Sequence, residues 1–385
     1  MQKHCLRTVC LCILCIVSLT SCRKDRTYER DTELFTQAQA FIEERKYPQA
    51  IGVLSEITDN ETAEDQLEQL RYLISGDYLE NLQMGVAAID RDGHVRIAVN
   101  PIYFQDKPES LEEIAGWKDI RSLSGGLCGL DALDINGNFY TIRGYSVSDD
   151  YTERNTRIRQ LEPLRLLFSY NSDFSALDMV GKFCAYSQYT DYLQSDVVSQ
   201  KIAGWTDIVD IVSGPDLTVV LRKDGTVDFV CADAGYASEY SDMLEWTDIV
   251  VIDGLGVTGC IAGLKSDGTV MVSHHGIGNM VNYRETEEWS GIIAVSMGFD
   301  SLLGLKRDGT VVAAGNLDAE QKNISEWTDI VAIAAGQDVH VGLKADGSIV
   351  VAGKLPNDVA FPDVTDMKDL YVPAIVTDGL QYQRD

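Results

Sequence analysis

The chain has 385 residues, of which 60 are acidic and 32 are basic, so its formal net charge is −28 at pH 7. Such a chain repels phosphate groups and lacks the basic patch that nucleic acid binding needs. The composition therefore argues against nucleic acid as a partner. It indicates an acidic surface that is either simply solvated or docks a cationic partner.

The N-terminus has the pattern of an export signal. Lys3 and Arg7 form a short basic region, and residues 8–19 form an uncharged, mostly apolar run. That run is too short to span a bilayer as a helix but fits the apolar region of a signal peptide. It ends in Leu19-Thr20-Ser21-Cys22, which resembles the lipobox of bacterial lipoproteins.

The lipobox resemblance implies a location. Residues 1–21 would be removed, Cys22 would carry the lipid with acyl chains such as palmitate, and residues 22–30 would form a polar tether. The expected location is outside the cytoplasm, on the cell surface or the periplasmic face of a bacterial membrane. An ordinary signal peptide is the alternative.

A helical pattern follows the tether, over residues 31–82. Apolar residues recur at three- and four-residue spacing, and Pro48 can open a helix. The stretch 40–50 resembles the helix-turn-helix of a tetratricopeptide repeat. Only about one and a half units are present, whereas a stable solenoid normally needs about three or more. We therefore expect a short helical cap or spacer, with peptide binding as the alternative.

The strongest signal is a repeat of 38 to 44 residues that occupies the rest of the chain. Each clear copy opens with a Trp, followed two residues later by Asp or Gly and then by Ile, and an Asp-Gly or Asn-Gly pair comes about 20 residues after the Trp. A degenerate copy starts at Leu161. The opening tryptophans are Trp117, Trp205, Trp246, Trp289 and Trp327.

Each repeat predicts three strands, the last two joined by a tight Asp-Gly hairpin with positive φ at both turn centres. One such unit cannot bury both its faces, so the units must stack, and stacking with constant rotation closes a ring. Residues 84–95 match the second half of a repeat, and Met367–Leu370 with Val372–Val376 match the first half. The prediction is an all-β seven-bladed β-propeller over 83–385, with one blade shared by both chain ends.

The repeats resemble those of the regulator of chromosome condensation family, in its bacterial and tubulin-suppressor-like variant. The resemblance rests on the pattern Trp-Thr-Asp-Ile-Val…Gly-Leu-Lys-x-Asp-Gly-Thr-Val. It implies a seven-bladed propeller that serves as a binding platform rather than a catalyst. Only His340 occupies the position where family repeats often carry a His, and the copy at Leu161 has lost the Trp and the Asp.

No catalytic or metal-binding motif stands out, so we predict neither an enzyme nor a cofactor. The hairpin aspartates suit turns rather than metal, His274-His275 would point to opposite faces of a strand, and His340 suits a structural role. Buried thiols are expected in apolar strands, although export would permit disulfides. These cysteines are Cys128, Cys184, Cys231 and Cys260.

Tyrosines recur in the variable connections between repeats, which emerge together in a propeller. Tyrosine is favoured in binding loops, so a recognition face for protein or glycan is one hypothesis, and packing against neighbouring blades is the other. We therefore predict a monomeric membrane-anchored binding or scaffold lipoprotein, with an inhibitor of a partner enzyme or a cell-envelope hydrolase as alternatives. The tyrosines are Tyr145, Tyr151, Tyr186, Tyr189, Tyr192, Tyr236, Tyr240 and Tyr283.

Overall fold

A computed structural model gives the fold of the chain from residue 28 to residue 373, with short gaps. The described residues are 28–58, 60–82, 84–100, 109–126, 129–143, 150–170, 173–186, 193, 195–214, 216–232, 234–255, 259–274 and 281–373.

Three helices come first: α1 over 28–43, α2 over Tyr47–Leu54 and α3 over Glu61–Ser75. Pro48 lies in the first turn of α2, where its missing N–H costs nothing. The side chain of Asn60 caps α3 by accepting from the Ala63 N–H at 2.9 Å. The apolar faces of the three helices join one core with the adjacent blades. The segment therefore packs as a cap, and the tetratricopeptide resemblance stays a prediction.

Seven three-stranded antiparallel sheets follow, each a meander of consecutive strands. Blades 1–3 contain β1 Leu79–Leu82, β2 Gly85–Ile89, β3 Val95–Val99, β4 Ile120–Gly126, β5 Gly129–Asp134, β6 Phe139–Arg143, β7 Leu164–Tyr170, β8 Asp173–Asp178 and β9 Phe183–Tyr186. Blades 4–7 contain β10 Ile208–Ser213, β11 Leu217–Arg222, β12 Val227–Cys231, β13 Ile249–Leu255, β14 Cys260–Lys265, β15 Val270–His274, β16 Ile292–Met297, β17 Ser301–Lys306, β18 Val311–Gly315, β19 Ile330–Ala334, β20 Val339–Lys344 and β21 Ile349–Gly353.

The blades close into a ring. The first strand of every blade contacts the first strands of both neighbours, and β19 meets β1 to complete the circle. The predicted seven-bladed propeller with a small helical segment is confirmed. Short helices lie in the connections, namely α4 Glu109–Ile114, α5 Asp150–Arg159, α6 Asp196–Ala203 and α7 Ala234–Glu239, with 3-10 turns at Ser241–Glu245, Arg284–Glu288, Gln321–Glu326 and Pro356–Asp358.

Blade 1 differs from the prediction. Its first strand is β1, inside the range assigned to the helical segment, and not Val372–Val376. The chain leaves α3 at Gly76, where a positive φ of 76° turns it directly into β1 along the edge of β2. The C-terminal segment adds only a bridge from Leu370 to Asp90. Residues 374–376 lie outside the described residues.

The two sequence landmarks of each repeat meet at the junction between blades. The Ile249 N–H donates to the Gly225 carbonyl of the preceding hairpin at 3.1 Å, and Ile330 does the same with Gly309 at 3.0 Å. The residue before each such Ile is in the left-handed region, as Asp248 is with φ 62°. Asp and Gly tolerate this conformation, which explains why they alternate at the position.

The hairpin differs in one respect from the prediction. In the Asp-Gly hairpins only the Gly has positive φ, as Gly309 does with 81°. The Gly309 N–H donates to the Lys306 carbonyl at 3.0 Å, and the Lys306 N–H donates to the Thr310 carbonyl at 2.9 Å. This is the three-residue hairpin in which a left-handed Gly follows the turn, not the two-residue form.

Each of the last three tryptophans packs on its own middle strand. A Cβ at Gly342 would lie 2.9 Å from the Trp327 ring, and one at Gly304 would lie 2.7 Å from the Trp289 ring. The glycine of the Gly-Leu-Lys pattern is therefore needed because a larger side chain would clash with the indole ring. The main contact of each of these indoles therefore lies within one blade and not between blades.

Candidate binding surfaces

A channel runs along the axis of the ring, with a volume of about 210 Å³. The first strands of all seven blades line it, together with the residues that follow α3. Five carboxyl groups belong to this lining: Asp77, Glu80, Asp210, Asp253 and Asp338. Burial, with repulsion from Asp77 and Asp253, raises the pKa of Glu80 and of Asp210 to about 8. Burial raises the pKa of Asp77 and of Asp253 to about 6.

Two of these carboxylates connect neighbouring blades. Asp210 accepts from the Ile252 N–H of the next blade at 3.0 Å, and Asp253 accepts from the Met297 N–H at 2.8 Å. Ser296 fills the same place one blade further and accepts from a backbone N–H of blade 7 at 3.0 Å. Asp210 and Asp253 thus accept a backbone hydrogen bond from the next blade, and the Ser296 hydroxyl does the same at the equivalent position.

We call the end of the ring that carries the hairpins the hairpin end. The helical segment covers part of it. Glu64 of α3 pairs with Lys223 of the blade 4 hairpin at 2.8 Å, and Gln49 of α2 donates to the Asp267 carbonyl of blade 5 at 3.1 Å. The helices and blades 5–7 share one apolar core. The helical segment therefore packs as a cap over this part of the ring.

We call the opposite end, where first strands turn into second strands, the open end. Asp300 and Asp338 lie in these turns, and Asp318 lies in the connection between blades 6 and 7. Burial and repulsion from Asp318 and Asp338 raise the pKa of Asp300 above its usual range. The pKa of Asp338 is raised by burial and by Asp318. The three carboxyl groups therefore form one negative patch, which suits a cationic group.

Three of the eight tyrosines of the predicted recognition face have described side chains. Tyr240 and Tyr283 are core residues, only 6% and 3% exposed, because each lies at the 3-10 turn that precedes a Trp and packs inward. Tyr186 is half-buried and stacks on Phe174, with ring centroids 6.1 Å apart. The first two are corrections: they belong to the packing hypothesis.

The other five predicted tyrosines cannot be placed at a surface. Tyr151 lies in α5 and Tyr236 in α7, and only their backbone is described. The remaining three, Tyr145, Tyr189 and Tyr192, lie outside the described residues.

Cys22 also lies outside the described residues, as does Cys128. Within the described part of the chain, none of the helices is long and apolar enough to cross a membrane. The cysteines described there, Cys184, Cys231 and Cys260, carry thiols, and Cys260 is buried.

The hairpin aspartates have the predicted turn role. Asp308 accepts from both the backbone N–H and the hydroxyl of Thr310, at 3.0 and 2.6 Å. Asp90, Asp92 and His94 have ligand atoms within 4.8 Å of one another. Asp90, however, already accepts from the Asp92 and His94 N–H groups and from Arg96, so its oxygens serve the turn.

His340 is consistent with the predicted structural role. His340 is fully buried, and its Nδ1 accepts from the Gly336 N–H of the same blade at 3.4 Å. Burial lowers the pKa of His340 to about 4, so the ring is neutral at pH 7. His275 lies outside the described residues, and of His274 only the backbone is described.

No family model matches the chain, and no curated protein matches it. Solved structures do. The crinkly WD40 ectodomain of the Arabidopsis thaliana receptor kinase ACR4 has a TM-score of 0.51 at 14% identity, covering 76% of this chain and 98% of that one. Yeast RCC1 (Prp20), solved with Kap60, has a TM-score of 0.46 at 14% identity, covering 77% and 87%. At these identities the likeness shows the fold alone: a propeller of repeats.

Proposed function

We propose that this chain is a scaffold lipoprotein of the regulator of chromosome condensation type, exported and anchored through Cys22, which holds a partner protein at its open end. The single observation that carries the proposal is the asymmetry of the ring. The helical segment is built into the hairpin end through a shared core, whereas the open end presents its turns and a patch of carboxyl groups.

The chemistry of the patch favours a basic partner. Asp300, Asp318 and Asp338 come from two blades and one connection, so a single cationic side chain or loop can contact all three. Charge at an exposed rim raises the rate of encounter and selects against acidic partners. Because Asp210 and Asp253 are bonded to neighbouring blades, we assign recognition to the patch, whose Asp338 also lines the channel, rather than to these two inner acids. Glycan recognition by the connections is the second candidate.

The binding site is tested with a charge-neutral variant. The chain from Arg23 onward, without lipid, is immobilised and exposed to an envelope extract, beside a variant with Asp300→Asn, Asp318→Asn and Asp338→Asn. Asn keeps an acceptor for the bond from the Gln321 N–H to Asp318, so the fold is preserved. We expect the parent to retain a basic protein that the variant loses. Retention by both would place the site elsewhere.

A matched control separates local from general charge. Glu285, Glu287 and Glu288 are exposed on the 3-10 turn before Trp289, on the outer wall of the ring. Changing all three to Gln removes the same number of charges, and this variant should retain the partner. If the captured protein is an enzyme, assay of its activity with and without the scaffold distinguishes an inhibitor from a passive platform.

The anchor is tested separately. Cells that express the full chain are fed radiolabelled palmitate, and the mass of the mature N-terminal peptide is measured. We expect label on the parent and none on Cys22→Ser. Equal labelling of both, or an unmodified Cys22 in a correctly exported chain, would contradict the lipoprotein assignment.

A further inference from the structure

The exposed apolar side chains of the hairpin end are unevenly placed. Ile135 is 61% exposed in the blade 2 hairpin, and Met179 and Val180 are 46% and 89% exposed in the blade 3 hairpin. Blades 4–7 carry an exposed Asp in the corresponding hairpin, as blade 6 does with Asp308. Large apolar side chains at the tip of a solvated turn are exposed to water at a cost in free energy. That cost is removed only when another surface buries them.

The helical segment is not that cover. Its polar contacts with hairpins are those to blades 4 and 5, through Lys223 and Asp267. It meets blade 2 at the inner strand, where Glu68 lies 3.8 Å from Arg121. Its apolar side chains pack on the core that includes blades 5–7 and, through Tyr72, on the core of blades 1, 2 and 7. The hairpins of blades 2 and 3 therefore project from the same end of the ring, beside the cap. They carry an exposed Lys182 and no exposed acidic side chain at their tips.

The chain enters the ring at this end. Arg30, two residues after the start of α1, pairs with Glu56 at 2.8 Å, just after α2. Since α2 lies on the blade 5 hairpin, the start of α1 is at the hairpin end as well. Cys22 precedes Tyr28 by six residues, and six residues span at most about 20 Å. A lipid on Cys22 would therefore hold the hairpin end close to a bilayer.

We propose that the hairpins of blades 2 and 3 are a membrane-contact surface, with Ile135, Met179 and Val180 inserted at the lipid interface and Lys182 beside anionic headgroups. The proposal rests on the anchoring part of the proposed function, and it fixes how the ring is oriented. Apolar insertion and attraction of Lys182 to anionic lipid add to the binding energy of the lipid anchor and orient the ring against the bilayer. The open end then faces away from the membrane, toward partners.

The test uses the chain from Arg23 onward, which contains every described helix and strand but no lipid. Its partition onto vesicles of phosphatidylethanolamine and phosphatidylglycerol is measured by co-sedimentation, beside the variant Ile135→Ser, Met179→Ser and Val180→Ser. We expect measurable binding by the parent and a loss of about tenfold or more in the variant. Because all three side chains are exposed, the variant should keep the parent's circular dichroism and melting temperature.

A control variant changes apolar residues on another wall of the ring. Leu244 and Met271 are exposed in blade 5 and the turn before it, and Leu244→Ser with Met271→Ser should bind vesicles as the parent does. Equal binding by the parent and the hairpin variant, or no binding by the parent, would overturn the proposal. So would a dimer in sedimentation velocity that the hairpin variant abolishes, because a second copy would then be the cover.

Failure of the anchor has a different signature. If Cys22 carries no lipid in cells but the unlipidated chain still partitions through its hairpins, the contact surface stands and the lipoprotein assignment falls. If Cys22 is acylated but the hairpin variant and the parent bind vesicles equally, the anchor stands and the contact surface falls.

Discussion

Blades 1–3 and blades 4–7 build the same hairpin with the aspartate in two different places. In blade 6, Asp308 lies inside the turn and accepts from Thr310. In blade 2, Asp134 ends the middle strand and accepts from the Asn136 and Asn138 N–H groups, at 2.8 and 2.9 Å. The comparison teaches that the turn needs one carboxylate acceptor for its N–H groups, and that either position can supply it.

Because of this difference, the hairpin tips of blades 2 and 3 do not need an Asp. Once Asp178 at the strand end accepts from the Val180 and Lys182 N–H groups, the turn itself has no need of an Asp. Met179 and Val180 can then occupy it. Blade 3 therefore lacks the Asp of the turn because the carboxylate acceptor has moved to the end of the strand. The residues at the tip are then not needed for the turn.

The cores of the two groups also differ. In blade 2, Asp131 is completely buried and pairs with Arg143 at 2.9 Å and with the equally buried Arg154 of α5. Burial opposes ionisation of Asp131, but the two arginines outweigh it and lower its pKa to about 2. Blades 5–7 are distinguished by the fit of a Trp on a Gly, as Trp327 fits on Gly342.

The largest predicted effect comes from the ionic core. Asp131→Ala leaves two arginines buried without their counter-charge, which should cost about 3–5 kcal/mol of the free energy of unfolding. Urea denaturation at pH 7 measures it, with the exposed Asp308→Ala as the control. A cost below that of the control would show that α5 opens and hydrates the arginines, and that the ionic core does not hold blades 2 and 3.

Asp210 in the channel should make stability depend on pH. Its pKa is raised to about 8 in the folded protein by burial, so the folded state binds a proton that the unfolded state releases near pH 4. Stability therefore falls as pH rises from about 4 to about 8. In Asp210→Asn, which keeps an acceptor for Ile252, this fall should be smaller. Melting temperatures across that window measure it, and an unchanged slope would contradict the assignment.

The junctions between blades give a more moderate, paired prediction. A Cβ at Gly309 would lie 3.1 Å from Cα of Asp329, whereas a Cβ at Gly181 would meet nothing within 4 Å. Both glycines have positive φ, so each change to Ala costs about 1–2 kcal/mol for the left-handed conformation. Gly309→Ala should cost about 1–3 kcal/mol more because it also presses on the next blade. Equal losses in the free energy of unfolding would mean that the contact at Gly309 relaxes without cost, and would contradict this prediction.

The junction contacts of blade 3 have another origin. Arg165, at the bulge of β7, donates to the Ile208 carbonyl of blade 4. Arg121 of blade 2 likewise donates to the Leu164 carbonyl at 3.3 Å. At the junction of blades 3 and 4, where Gly181 does not reach the next blade, Arg165 spans the gap. At the junction of blades 2 and 3, Arg121 adds to the bond from the Leu164 N–H to the Gly137 carbonyl.

Much of the fold could be predicted from the sequence, because the Trp and the hairpin Gly mark the two partners of each blade junction. The segment after Trp327 meets Gly309 of the preceding hairpin, and the same pairing recurs at the other regular blade junctions. The origin of β1 could not be predicted, since Leu79–Leu82 continues a helical pattern and only the fold shows the free edge of β2.

The candidate surfaces were harder to predict. Tyrosines in variable connections gave no indication of depth, and Tyr240 and Tyr283 proved to be core residues because they follow the inward side of the 3-10 turns. The contact surface had a readable signal. Wherever a strand ends in Leu-Asp, as at Asp134 and Asp178, the acceptor has moved and an apolar tip is tolerated. The acidic patch had no signal in the sequence, since its three carboxyl groups come from separate turns and connections.

The smallest predicted effect concerns the regular hairpin itself. The bond from the Thr310 hydroxyl, with that from its N–H, lowers the pKa of Asp308 below its usual range. A group with a depressed folded pKa contributes stability above the unfolded value near 4 and loses it as the pH falls. Asp308→Ala should therefore cost about 0.5–1 kcal/mol at pH 7 and less at pH 3, because the site is exposed and screened by solvent. Asp308→Asn keeps an acceptor for the turn, so it should recover part of this loss in thermal melts. If Asn fares no better than Ala, the charge and not the turn geometry fixes the aspartate there, and blades 1–3 must meet the same need by placing their charge at the strand end.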